Sequence, residues 1–104
     1  MAEAIKMRAQ SRDGVTEIRM LVQHPMETGL RKDAATGLPI PADFIRIVTV
    51  MLNDRLVLEG HLNTAVSRNP VFAFKVRGGK PGDRVSTSWV DSKGGQRTDE
   101  TLAR

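Results

Sequence analysis

The sequence contains no cysteine among its 104 residues. It therefore cannot form a disulfide or supply a thiolate as a nucleophile or as a covalent carrier of sulfur. The longest apolar stretch, residues 47–52, is interrupted by Thr49 and is far shorter than the roughly 20 residues that cross a bilayer. Residues 1–8 have an early glutamate and no apolar core, which is atypical of a secretory signal. The residues alone thus indicate a cytoplasmic chain without a membrane partner.

Aromatic residues are also few, with one tryptophan and three phenylalanines. Phe72 and Phe74 alternate with Ala73 and Lys75 as core residues do, so they are not expected to form the stacking surface of a single-strand nucleic-acid binder. The net charge of +4 gives a modest preference for acidic partners. Because the chain lacks an aromatic stacking surface, however, we expect no nucleic-acid partner.

The composition, 39% hydrophobic and 27% charged, is that of an ordinary globular protein, and the length predicts one domain, residues 1–104. Apolar residues recur with a period of two, which indicates β-strands. The fold class predicted is all-β, an immunoglobulin-like β-sandwich of about seven strands, with Trp89 as a core anchor. The predicted strands cover residues 5–9, 16–22, 45–52, 56–62, 72–76, 85–89 and 96–102.

The strand at residues 45–52 is apolar on both faces. Such a strand is either buried on two sides or covered by a partner. We expect part of its sheet to pack on a partner, with Val48 and Val50 as contact residues.

Residues 24–43 form a long connection with three prolines and two glycines, and connections of this length are often functional. Within it, Met26 and Leu30 are candidate apolar anchors, Arg31 and Lys32 supply charge, and Gly29 permits a bend. The segment is predicted to be an interaction element, and the alternative is a loop that caps its own sandwich.

A glycine-rich turn at residues 78–83 contains Lys80, but Pro81 and the absence of a following helix do not fit a phosphate-binding loop. Lys75, Arg77, Lys80 and Arg84 form a basic patch that either meets an acidic partner or keeps an edge soluble.

The candidate metal ligands are His24 and His61 with Glu27 or Glu59, and their spacing matches no metal motif. No serine stands in an activating context. We therefore expect that the chain has no catalytic residues, binds no cofactor or metal, and is not an enzyme.

Five segments together resemble the SoxZ family of bacterial sulfur oxidation. They are HPMETGLRKD at 24–33, IPADFI at 40–45, SRNP at 67–70, FKVRGGKPGD at 74–83 and WVD at 89–91. The resemblance covers nearly the whole chain in the same order.

The resemblance implies a non-catalytic subunit that pairs with a SoxY-like subunit, whose C-terminal cysteine carries thiosulfate or its oxidised intermediates. It also implies transient contact with other Sox enzymes, and a periplasmic location reached by export with a signal-bearing partner. The cysteine-free sequence agrees with this division of roles. The alternative is a stand-alone ligand-binding or adhesion sandwich that contacts an acidic biopolymer through its basic patch.

Overall fold

The computed structural model describes residues 3–104; Met1 and Ala2, which belong to the segment weighed as a signal, lie outside the described residues. The described chain forms seven strands and no helix, as the alternating pattern predicts. The strands are β1 (Lys6–Arg12), β2 (Val15–Leu21), β3 (Ile45–Leu52), β4 (Arg55–His61), β5 (Val71–Arg77), β6 (Arg84–Asp91) and β7 (Gln96–Leu102).

The strands make two antiparallel sheets. One has three strands in the order β1-β2-β5, and the other has four in the order β4-β3-β6-β7. Asp13–Gly14 and Asn53–Asp54 are the tight turns of the β1–β2 and β3–β4 hairpins, as their turn chemistry predicts. The predicted all-β sandwich is confirmed.

The core lies between the two sheets and is built mainly from the inward positions of β1 to β6. Trp89 on β6 is 3% exposed, so its prediction as a core anchor is confirmed. The fully buried aliphatic side chains around it are Ile18, Met20, Val22, Ile45, Val48, Val50 and Val85.

β3 is the strand where the structure corrects the sequence analysis. Val48 and Val50 are both 0% exposed, so they face the other sheet and cannot contact a partner while the chain is folded. Ile47, Thr49 and Met51 occupy the outward positions. Because both faces of this strand are apolar, alternation alone does not indicate which one is inward.

The C-terminal residues close one side of the sandwich. The N–H of Ser11 donates to the carbonyl of Arg104 at 2.8 Å, and the N–H of Arg104 donates to the carbonyl of Ala9 at 3.0 Å. The N–H of Ile5 also donates to Asp99 on β7 at 2.9 Å. The outer edge of β1 is therefore hydrogen-bonded to the end of the other sheet.

Among residues 3–104, no helix has the length and apolar character required to span a membrane.

Candidate functional site

The long connection between β2 and β3 is an ordered antiparallel arm, which we define as residues 27–43. Backbone hydrogen bonds of 2.7 and 3.0 Å join Glu27 to Asp43, and a second bridge joins Lys32 to Pro39. The chain reverses at residues 33–38, where the N–H of Gly37 donates to the carbonyl of Asp33 at 2.8 Å. The folded chain measures 54 × 21 × 19 Å, and this elongation fits an arm extending from a sandwich of seven- and eight-residue strands.

The arm exposes apolar side chains, with Leu30 at 87% and Leu38 at 65% exposure. Lys32 is exposed as well. Arg31 is not free, because its guanidinium pairs with Glu27 at the base of the arm. That hydrogen bond raises the pKa of Arg31 and lowers the pKa of Glu27. Leu30 and Lys32 are thus available to a partner, whereas Arg31 also serves the arm itself.

Met26 differs from its neighbours because it is buried, so its prediction as an exposed anchor is wrong. It is 5% exposed and packs in the core, where its sulfur accepts a hydrogen bond from the N–H of Ile45 at 3.3 Å. Burial of an apolar side chain is favourable, so the buried Met26, which directly precedes the arm, attaches the arm to the sandwich. Contact of Leu30, Arg31 and Lys32 with a partner stays a prediction.

A buried polar cluster lies next to Met26. The Nδ1 atom of His24 accepts a hydrogen bond from the N–H of Met26 at 3.0 Å. In the neutral ring the proton therefore sits on Nε2, which donates to Asp91 Oδ2 at 3.0 Å and lies 3.4 Å from Asp43 Oδ1. The rings of His24 and Trp89 pack edge-to-face, with their centroids 5.0 Å apart. His24 thereby connects the end of β2, the arm and the end of β6.

Asp91 accepts further hydrogen bonds at its other oxygen, from the N–H groups of Lys93 at 3.0 Å and Gly95 at 2.7 Å. Burial raises the pKa of Asp91, but the hydrogen bonds from His24, Gly95 and Lys93 outweigh burial and leave the pKa below its ordinary value. The carboxylate is therefore ionised at neutral pH and holds the cluster together.

The ligand atoms of His24, Asp43 and Asp91 lie within 4.8 Å of one another, as metal ligands do. A metal would need the lone pair of Nε2, and moving the ring proton to Nδ1 would point it at the N–H of Met26. The hydrogen bonding thus favours a structural cluster over a metal site. The candidate zinc set is not assembled either, because His61 is exposed and pairs with Glu59 at 3.2 Å.

A cavity of about 620 Å³ opens beside the cluster. Carboxylates of Asp43 and Asp91 line it together with the ring of His24. Its charged lining residues are three carboxylates, Glu3, Asp43 and Asp91, and one cation, Lys93, so a sulfur oxyanion would meet a net negative charge there.

The turn at residues 78–83 packs on the sandwich and uses its own polar groups. The N–H of Lys80 donates to Asp83 Oδ2 at 3.0 Å, so it is not free to bind a phosphate. Lys80 itself is exposed. Arg84 pairs with Asp54 at 3.0 Å. Because Lys75 and Arg77 lie on β5 of one sheet and Arg84 lies on β6 of the other, the predicted basic patch is divided between different surfaces.

The outer face of the four-stranded sheet has an uncharged centre, which we call the uncharged face. Its residues come from β3, β4, β6 and β7 and are Ile47, Thr49, Met51, Leu56, Ser86, Ser88, Val90 and Thr98. Leu56 is 53% exposed and Val90 is 41% exposed. The sequence predicts a partner surface on this sheet, but its outer face is formed by the alternate residues of β3 and not by the buried Val48 and Val50.

These features define a two-sheet β-sandwich whose buried polar cluster is structural and whose distinctive surfaces are an arm and an uncharged sheet face. The described residues 3–104 show surfaces suited to protein contacts. A model of the family described as "Sulphur oxidation protein SoxZ" matches residues 5–102, and the chain belongs to the SoxZ family. It is a subunit of the Sox sulfur-oxidation system, in a family of non-catalytic subunits.

Solved structures with the same fold include a superoxide reductase in the oxidised state, 13% identical, with a TM-score of 0.65. A hypothetical protein from Pyrococcus horikoshii OT3 is 12% identical, also with a TM-score of 0.65. Each alignment covers 99% of this chain and 89% of the other. At such low identity they show the fold alone. A search of curated proteins finds no match.

Proposed function

We propose that this chain pairs with a SoxY-like subunit, whose C-terminal cysteine carries the sulfur substrate, and that the uncharged face forms the interface. Family membership and the cysteine-free sequence support the role of a non-carrying subunit. The proposal also places the heterodimer in the periplasm, exported with a signal-bearing partner, where other Sox enzymes contact it transiently.

The observation that carries the proposal is the distribution of charge on the uncharged face. Its centre has apolar and small hydroxyl side chains, with Thr49 and Ser88 hydrogen-bonded to each other at 2.6 Å. Charged residues lie around it, with Glu59 beside His61 at 3.2 Å and Arg84 paired with Glu100 at 3.7 Å. A centre without charged residues, surrounded by a charged rim, is the usual arrangement of a protein interface.

Ile47→Lys with Met51→Lys should weaken the heterodimer about tenfold to a hundredfold, because two ammonium groups would be desolvated at the centre of the interface. The measurement is the dissociation constant of the coexpressed and purified complex, with melting of the isolated chain as a fold check.

Val71→Lys is the matched control, since it places lysine at an exposed apolar strand position on the other sheet. We expect wild-type affinity from it. A double variant that still pairs with wild-type affinity would contradict the proposed interface. Val48→Lys is unsuitable for this test because it buries a charge in the core.

The arm provides a second contact in this proposal. Leu30→Ser with Leu38→Ser should leave the melting temperature unchanged, because both side chains are exposed. The rate of thiosulfate oxidation by the reconstituted Sox system should fall several-fold. An unchanged rate would return the arm to a purely structural role.

The alternative of a stand-alone binding sandwich predicts a different purification. Such a chain would be obtained without a partner subunit and would be retained on a polyanion resin in a salt-dependent manner. A one-to-one complex with a cysteine-ended subunit distinguishes the proposed function from it.

A further inference from the structure

The two outer faces of the sandwich differ sharply in charge. The outer face of the three-stranded sheet, which we call the basic face, has six cationic side chains and one carboxylate, Glu17. The cations are Lys6, Arg8, Arg12, Arg19, Lys75 and Arg77, and all are exposed. Six cations against one carboxylate give the face a net charge of +5, compared with +4 for the whole chain. The excess positive charge is thus concentrated on one side.

The strand register brings like charges together on this face. Arg8 on β1 lies directly opposite Arg19 on β2, and Arg12 and Arg77 flank Val15 from its two sides. Like charges directly opposite each other destabilise a sheet. Within residues 3–104, the one ion pair to these six cations joins Arg12 to Asp13 at 3.7 Å, at the turn beyond the face. The stability of the fold therefore does not account for this clustering of positive charge.

Small and aliphatic side chains lie between the cations, among them Val15, Val71 and Ala73. Arginine interleaved with such residues is typical of protein interfaces. Nucleic-acid binders that use a sheet face present aromatic rings for stacking. Here Phe72 and Phe74 point inward from β5, so the composition of the face favours an acidic protein.

We infer that the basic face binds an acidic surface of an enzyme that acts on the heterodimer, an inference that rests on the proposed function. The uncharged face and the basic face are the opposite outer sides of the sandwich. A SoxY-like subunit on one would leave the other open. Charge complementarity would raise the association rate, which suits a carrier that visits its enzymes briefly.

The test uses Arg8→Glu with Arg19→Glu, purified as the complex with the partner subunit. Copurification is scored first, and this step tests the proposed function on its own. The KM of the purified Sox enzymes for the complex is then measured at 50 and 300 mM salt. These concentrations lie below and above 0.1 M, where the screening length is roughly 10 Å. We expect the variant to raise KM at least tenfold at low salt with kcat unchanged. Added salt should raise KM for the wild-type complex and have little effect on the variant.

Arg68→Glu with Lys93→Glu is the matched control, because it makes the same change in net charge at exposed loop positions outside the three strands of the basic face. It should leave KM within twofold of wild type. Binding of the wild-type complex to phosphatidylglycerol vesicles and to duplex DNA is measured in parallel. An unchanged KM in the variant, with or without loss of vesicle or DNA binding, would overturn the inference. Failure of the wild-type chain to copurify would instead refute the proposed function.

Discussion

Gly79→Ala is expected to lower the free energy of unfolding by about 3 to 4 kcal/mol, from backbone strain and a damaged buried hydrogen bond. Gly79 has a φ of +86°, and a Cβ there would lie 2.1 Å from the Oγ1 of Thr16. Thr16 is fully buried, donates to the carbonyl of Gly78 at 2.8 Å and is 2.7 Å from the hydroxyl of Ser11. The methyl group must therefore displace the β1–β2 hairpin or the turn.

Urea unfolding of the purified chain measures this loss, and Gly82→Ala is its control. Gly82 has a φ of +96°, but a Cβ there meets nothing within 4 Å. That variant should lose only about 1 kcal/mol, the cost of the backbone conformation. Equal losses in the two variants would show that contact with Thr16 does not constrain the turn.

Asp91→Ala should lower the free energy of unfolding by about 3 kcal/mol, because it leaves buried donors without an acceptor. His24 Nε2 and the N–H groups of Lys93 and Gly95 all donate to this carboxylate. Asp54→Ala is the control, since Asp54 is an exposed residue paired with Arg84 across the surface, and it should unfold as the wild type does. If both variants unfold alike, the cluster does not hold the arm in place.

The same substitution should change the response to acid. Because the folded-state pKa of Asp91 is below its ordinary value, its contribution is present at neutral pH and is lost as the pH falls through that folded-state pKa. Asp99 contributes in the same direction, since the hydrogen bond from Arg97 lowers its pKa. Between pH 7 and pH 3 (from above to below the ordinary aspartate pKa of about 3.9), Asp91→Ala should therefore lose less stability than the wild type.

The strands could be predicted from the sequence because alternation is local, and the bounds of β3 and β7 are those predicted. Alternation does not indicate which face of β3 is inward, because the outward Ile47 and Met51 are as apolar as the inward valines. The arm was predicted only as a long connection, because its pairing of Glu27 with Asp43 joins residues without a strand pattern.

The polar cluster and the basic face depend on contacts distant in sequence. Asp91 is 67 residues from His24, and no spacing rule joins a lone histidine to a single aspartate at that distance. The sequence likewise showed a basic patch near Lys80, whereas the concentrated charge includes Arg8 and Arg19, which become neighbours only through the β1–β2 register.

The hydrogen bonds from Ser11 and Arg104 that close the β1 side have a consequence for self-association. An open strand edge is a template on which another chain can add, and a sandwich of two sheets has four such edges. Here the β1 edge is already occupied by the C-terminal residues. The other three edges, β4, β5 and β7, carry Arg55, Lys75 and Glu100, whose charges oppose edge-to-edge stacking. A specific partner can therefore cover the uncharged face and the arm without these edges adding further chains in fibre-like growth.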